Sequence, residues 1–279
     1  IIVMDYFMAT LTQINVYPIK SLGGLSLSHA FIGKTGLAFD RQLMLVDNRG
    51  KFVTARKWPQ LLALQVLLDD NGWVVVSADG KKLSIKRSQF NRPVDVNIWR
   101  HDMQALCADE AINRWFSEEL SHHVRLVSIS RDSVRLVEHS AQSIAFSDGY
   151  PLLIIGENSL KELNQRASEP SHMSQFRTNL VFDGEPGFVE DTWQRIRIGG
   201  VEFEFVKPCE RCVMTTVNIN DYTFRKNKEP LTTLKTFRAD PKGRLMFGEN
   251  LIAHNQGVIS VGDKIEVLST HQPVIYGER

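Results

Sequence analysis

Cysteine is scarce here: three residues in a chain of 279, too few for a disulfide scaffold, so a reducing, cytoplasmic setting is expected. Charge of one sign is missing too. A net charge of +1 gives no basic or acidic field for a nucleic-acid polymer or an anionic membrane surface. The basic run from Lys81-Lys82 to Lys86-Arg87 follows a turn and suits the solvated face of a hairpin. No apolar run approaches the roughly 18–20 residues of a membrane span. The opening IIVMDYFMATL lacks the basic flank and cleavage site of a signal peptide. No glycine-rich dinucleotide fingerprint or flavin motif is present, nor any internal repeat or low-complexity segment. The apolar fraction of 43% and charged fraction of 23% are those of a soluble globular chain, long enough for two medium domains.

What the sequence does have is strand signals. RQLMLVDNRGKFVTAR places two apolar-rich runs around Asp47–Gly50, and GWVVVSADGKKLSIKR repeats that plan around Asp79-Gly80; both predict β-hairpins. VEFEFV (201–206) alternates apolar and acidic residues, and GVISVGDKIEVL predicts a closing strand pair. Many short strands joined by Gly/Asp turns favour barrels over a doubly wound sheet. The expected class is mainly β with some α (α+β).

Three helices are predicted. Residues 109–120 put Ile112, Trp115, Phe116 and Leu120 on one face. Ser159-Leu160-Lys161-Glu162 matches a capping box opening a helix to about Ala167. Leu231, Leu234 and Phe237 suggest the third. The polar stretch 128–143 suggests a boundary, giving a β-rich domain over 1–127 and a β-barrel domain over 128–279.

Two of the three cysteines lie in KPCERCVMTTV, at 209 and 212. A structural zinc site needs four closely paired ligands, and only Cys107 remains, with no histidine between Cys209 and His254. The β-branched run 213–217 predicts a strand after the pair rather than the helix a thioredoxin-like dithiol requires. In extended chain three residues span roughly 10 Å, beyond the ~7 Å Cα limit for a disulfide. Two readings stay open: small buried hydrophobes, or thiols whose cationic setting, between Lys207 and Arg211, favours the thiolate form that binds a soft metal.

With its downstream context, PCERCVMTTVN…KEPLTTLKTFR…FGENLIAHNQGVISVGDKIEVL, the cysteine segment resembles the MOSC domain family, named for the C-terminal domain of molybdenum cofactor sulfurase. VYPIKSLGG (16–24) and GLAFDRQLMLVDNRGKFVTAR (36–56) resemble the β-barrel domain that precedes MOSC in the amidoxime-reducing branch. FSDGYPLLIIGENSLKELN (146–164) and FRTNLVFDGEPGFVEDTW (176–193) are similar to that branch's middle section. The likeness covers most of residues 14–268.

This resemblance implies a MOSC β-barrel plus an N-terminal β-rich domain, with molybdenum cofactor (molybdopterin carrying Mo) in a cleft between them. On the family's positions the cofactor contacts are Lys20, Ser21, Arg41, Arg177 and Asn179, with Cys212 as metal ligand and catalytic thiolate. Ser147 is a further candidate, and Thr178 stands where the family usually has proline. The implied reaction reduces N-hydroxylated small molecules from N–OH to N–H, taking two electrons and two protons and releasing water. Electrons would come from a separate reductase or ferredoxin, or from a further domain outside this chain, since some bacterial relatives carry a C-terminal ferredoxin domain. Two rivals remain: a non-catalytic carrier of molybdenum cofactor or persulfide sulfur, and a β-barrel interaction module without cofactor.

Overall fold

The computed structural model describes residues 9–130, 133, 135–138, 140 and 142–277. The first eight residues of the opening segment and part of the 128–143 boundary stretch lie outside them. The chain forms two compact units that exchange segments: residues 9–15, 26–38 and 150–277 build the first, and 16–25 and 39–149 the second.

The second unit has two antiparallel sheets. One runs Leu43–Val46, Arg125–Ile129, His101–Ala108, Phe90–Ile98, and the other is the meander Gln65–Asp69, Gly72–Val76, Lys82–Lys86. Both predicted hairpins form. At the first turn the Asp47 carboxylate accepts the backbone N–H groups of Arg49 and Lys51, and Gly50 adopts φ 78. A side chain at Gly50 would collide with the Asp95 carbonyl, so glycine is required by space as well as by φ. The second turn spans 77–81, with Gly80 at φ 85. Met44, Val46, Val96, Ile98, Ala105, Cys107, Val127 and Phe146 form the core of the larger sheet. Cys107 is fully buried, its sulfur accepting from Asn113 at 3.6 Å, and belongs to that core. Helix α1 (Glu110–Glu119) buries Ile112 and Phe116 as its spacing requires, which contributes about 2 kcal/mol each.

The first unit is built on an eight-stranded sheet, in the order Ile265–Thr270, Trp193–Ile198, Val201–Glu210, Met246–Ala253, Leu152–Gly156, Leu180–Asp183, Thr10–Val16, Leu25–Leu27. It curls into a partial barrel: Ala9 and Leu11 hydrogen-bond to Ile265 and to the turn at Gly262 and Asp263. Its parallel pair, Leu152–Gly156 with Leu180–Asp183, needs a crossover, which α2 (Glu157–Arg166) supplies. Helix α3 (Leu231–Phe237) buries Leu234 in a cluster with Leu153, Ile155, Leu163, Met173, Phe176, Val181 and Phe247. The closing strands do not pair with each other. Gly257–Ser260 pairs with His29–Gly33, and Ile265–Thr270 pairs with Trp193–Ile198.

Two local expectations are corrected. The capping box at Ser159 is absent; α2 starts two residues earlier, at Glu157. The Ser159 hydroxyl donates instead to the buried carboxylate of Glu190, which also accepts the Gly156 N–H. A carboxylate from elsewhere in the chain thus ties down the start of the helix. The run 213–217 is not a strand either. Val213–Thr216 is a 3₁₀ turn, because the Thr215 and Thr216 hydroxyls donate back to the carbonyls of Cys212 and Val213.

Candidate functional site

In the second unit, Tyr17–Ser21 lies against Leu43: the Lys20 N–H donates to the Leu43 carbonyl at 2.8 Å. The Arg41 N–H donates to the Tyr17 carbonyl at 2.9 Å, and the Arg41 guanidinium lies 4.4 Å from the centre of the Tyr17 ring. Asp40 clamps this corner, accepting from the Tyr17 N–H and from Arg41 Nη1 at 2.7 Å. Lys20, Ser21 and Arg41 are therefore brought together by one backbone crossing. Ser21 and Arg41 both hold positive φ, at 70 and 46, which is costly for residues with a Cβ and concentrates at functional sites.

Lys20 is only 6% exposed. Its ammonium donates to the Phe146 carbonyl at 2.9 Å and to the Asp148 carboxylate. Burial pulls its pKa below the ordinary lysine value, against the raising effect of Asp148; the charges of Arg135 and Arg41 add to the lowering. Burial raises Asp148, but Lys20, Arg56 and the Trp99 indole outweigh it, and the carboxyl ends well below its usual range. Arg56 Nη2 and Trp99 Nε1 each donate to Asp148 at 3.2 Å. Arg135 holds the segment in place, donating to the carbonyls of Ala145, Ser147 and Asp148. Ser147 is buried, its carbonyl taken by Arg135. Sequence reading did not single out Arg56, Trp99, Arg135 or Asp148, although Arg56 and Asp148 lie within the family-like stretches 36–56 and 146–164.

In the first unit the CERC segment ends the strand Val201–Glu210 instead of opening one. The two cysteines differ. Cys209 packs on the Phe176–Phe247 cluster, and its sulfur accepts from Arg211 Nη1 at 2.8 Å. Arg211 is buried; its Nη2 donates to the Phe176 carbonyl at 2.6 Å, and its Nε has no hydrogen-bond partner among the described residues. Cys212 is half-buried at the start of the 3₁₀ turn, and its thiol makes no hydrogen bond to the described residues. The turn is pinned by Gln175, whose amide donates to the carbonyls of Thr215 at 2.9 Å and Val217 at 3.0 Å.

Gln175 belongs to the short turn Met173–Phe176, which ends at Arg177 in the left-handed region, φ 54. Thr178 is fully buried and donates to Met173 Sδ at 3.5 Å. Asn179 is 2% exposed and committed to backbone: its Oδ1 accepts the Leu153 N–H and its Nδ2 donates to the Asn15 carbonyl. Buried among satisfied partners, it ties strands together and sets the backbone beneath Arg177. Arg177 and Cys212 thus belong to turns linked through Gln175 and Arg211.

The first unit is a partly closed β-barrel that carries a half-buried free thiol, of the kind that can ligate a soft metal, and the second is a β-rich unit that carries a desolvated cation cluster, of the kind that meets anions. Residues 8–123 match the MOSC N-terminal beta barrel domain and residues 141–266 the MOSC domain. The chain is 32% identical to mitochondrial amidoxime-reducing component 1 of Mus musculus over 94% of its own length and 83% of the relative's. The Homo sapiens protein of the same name gives the same identity and coverage. Molybdenum cofactor sulfurase of Oryza sativa subsp. japonica is 29% identical, over 85% of this chain and 32% of that protein. The chain belongs to the MOSC family. The names of its amidoxime-reducing relatives place those proteins in mitochondria, and the expectation of a cytoplasmic setting, drawn only from cysteine scarcity, is corrected accordingly.

Proposed function

We propose that this protein is a molybdenum-cofactor-dependent reductase that converts N-hydroxylated compounds, N–OH to N–H. The observation that carries this reading is the Cys212 thiol, half-buried, without a hydrogen bond to the described residues and fixed on a turn pinned by Gln175. A soft-metal ligand needs such a sulfur, whereas the sulfur of Cys209 is already engaged by Arg211.

The donors present suit molybdopterin carrying Mo. Cys212 would give up its proton and ligate the metal as thiolate. Lys20, Arg41 and Arg177 would meet the phosphate and polar edges of the pterin with charge-assisted hydrogen bonds. Ser21, whose hydroxyl makes no hydrogen bond to the described residues, would donate beside Lys20. Asn179 would act indirectly, by holding the backbone that presents Arg177. When bound, the cofactor supplies the two-electron chemistry that removes oxygen from N–OH. We place the two family domains at 1–127 and 128–279 along the sequence, and take the electron donor to be a separate reductase or ferredoxin. Among the described residues no helix is long and apolar enough to cross a membrane.

The test is turnover of benzamidoxime to benzamidine by cofactor-loaded protein with reduced viologen as donor. Turnover supports the reading. Loaded protein that fails to turn over, yet transfers cofactor to an apo-enzyme, is a carrier. Protein from a cofactor-competent host that holds no molybdenum is neither.

A further inference from the structure

We propose that the first unit carries a further small-molecule site, which takes a small zwitterion with its ammonium and carboxylate at opposite ends of an apolar chain. A cavity of about 190 Å³ opens beside the end of the strand Val201–Glu210, and neither Cys212 nor Arg177 lines it. The turn 240–246 and the C-terminal segment, through Val274 and Tyr276, supply its other walls. An engineered apolar cavity of about 150 Å³ takes benzene, so there is room here for a chain of about six carbons.

The strand is shaped for the cavity. In a regular strand neighbouring side chains point to opposite faces, so Lys207 and Pro208 would part. Against Met246–Ala253 the register slips twice, between Phe205 and Lys207 and again between Pro208 and Glu210. Lys207, Pro208 and Glu210 all line the cavity as a result. Bulges beside binding and catalytic sites re-aim side chains in this way.

The charges in the walls name the ligand. Two of the four cancel: Arg244 Nε and Nη2 reach the Asp240 carboxylate at 2.7 and 2.6 Å. The other two are uncommitted. The Lys207 ammonium lies 5.1 Å from the Tyr150 ring and makes no hydrogen bond or ion pair among the described residues. The Glu210 carboxylate makes none either and feels Arg244 only through space. Three residues of extended chain span roughly 10 Å, so a ligand that meets both holds its charges well apart. Its ammonium belongs on Glu210, its carboxylate on Lys207 and its chain against Pro208 and Met246. The hydroxyl of Tyr276 is buried and has no hydrogen-bond partner among the described residues. Burial raises its pKa against the lowering effect of Arg238, whose guanidinium lies 4.1 Å from the ring, so the phenol stays protonated. Buried polar groups are nearly always satisfied, and a hydroxyl left over in a cavity wall is met by what binds there.

The experiment is calorimetric titration of the full chain with 6-aminohexanoate at pH 7, beside hexylamine and hexanoate, which each keep one of its charges. The wild-type chain should bind 6-aminohexanoate saturably and either analogue about fivefold more weakly, the worth of a partly exposed ion pair. Lys207 and Glu210 are both exposed, so Lys207→Met and Glu210→Gln should fold normally and each weaken 6-aminohexanoate by about the same factor. Hexylamine should be indifferent to Lys207→Met, and hexanoate to Glu210→Gln. Equal affinity for either analogue, unchanged affinity in either variant, or no saturable binding to the wild-type chain overturns the proposal. Loss of binding in Lys20→Met but not in Lys207→Met would put the ligand on the cation cluster of the second unit, and overturns it too. No outcome depends on benzamidoxime turnover, so the cofactor reading stands or falls separately.

Discussion

The cation cluster of the second unit and the cysteine turn of the first are built from opposite materials. Around Lys20 the contacts are ionic: a buried ammonium, two guanidinium groups on nearby partners and one half-exposed carboxylate. Around Cys212 one buried cation, Arg211, is tied to Cys209 and the Phe176 carbonyl, and the other contacts are neutral. Gln175, Thr215 and Thr216 bond to backbone carbonyls and leave one sulfur uncommitted. Both regions carry left-handed backbone at non-glycine residues, Ser21 and Arg41 in one and Arg177 in the other. The difference separates two tasks. Charges placed in low dielectric attract a distant anion and respond to salt and pH, whereas a thiol on a hydrogen-bonded turn offers one short-range bond that depends on position.

The largest effect should come from breaking the ionic side. Lys20→Met removes the buried ammonium and should cost about 2–3 kcal/mol of phosphate or cofactor binding, roughly a hundredfold in affinity. Equilibrium retention of cofactor after gel filtration checks it; wild-type retention would mean the cluster is structural only. The neutral side is broken by Gln175→Leu, which strands two buried carbonyls and should lower stability by about 2 kcal/mol in a urea titration. Its molybdenum content should drop while inorganic phosphate binding, read by fluorescence, stays unchanged. Loss of both would show that the two regions are not separable in this way.

A third prediction concerns a charged group that the first unit does bury. Burial, followed by the charges of Asp191 and Glu190, pushes Glu249 up to about 9, against the lowering effect of Arg238. Between its ordinary value of 4.5 and about 9 the folded state holds one proton that the unfolded chain has lost. Glu249 therefore contributes most below pH 4.5, and its contribution declines as pH rises towards 9. Glu249→Gln should stabilise the protein by a few kcal/mol (~5 as an upper bound) at pH 8 and by almost nothing near pH 4.5. A constant difference across that range would contradict the assignment. The smallest effect is that of salt. Raising ionic strength tenfold should weaken cofactor binding several-fold by screening the cation cluster, without changing metal–sulfur coordination in loaded protein.

Legibility in the sequence followed the range of the interaction. The hairpin turns at 47–50 and 77–81 were readable because Asp47, Gly50 and Gly80 act within four residues of the backbone they shape. The faces of α1 and α3 were readable from spacing alone. The start of α2 was not, because the group that takes up the Ser159 hydroxyl, Glu190, lies 31 residues beyond it. The β-branched run 213–217 misled for a related reason: strand propensity yielded to threonine hydroxyls that bond back to the chain and to Gln175 from a distant turn. Of the candidate site, Lys20, Ser21, Arg41, Arg177, Asn179 and Cys212 came from family resemblance rather than from any local signal. Arg56, Trp99 and Asp148 needed coordinates, since FVTAR, NIWRH and FSDGY lie far apart in sequence and nothing in them announces that three donors meet one carboxylate. Asn179 shows the converse: the residue was singled out, but its buried amide is spent on Leu153 and Asn15.

The central claim is that Cys212, and not Cys209, ligates the metal, and X-ray absorption at the molybdenum edge tests it most directly. Wild-type, Cys209→Ser and Cys212→Ser proteins would be loaded with cofactor, and the sulfur neighbours of molybdenum counted in each. The free thiol on the pinned turn predicts one sulfur fewer in Cys212→Ser, together with loss of N-hydroxy reduction. Cys209→Ser should keep the wild-type count and activity, with a stability change of about 1 kcal/mol from the lost Arg211 contact and altered packing. A full sulfur count in Cys212→Ser, or a sulfur lost in Cys209→Ser, would contradict the account.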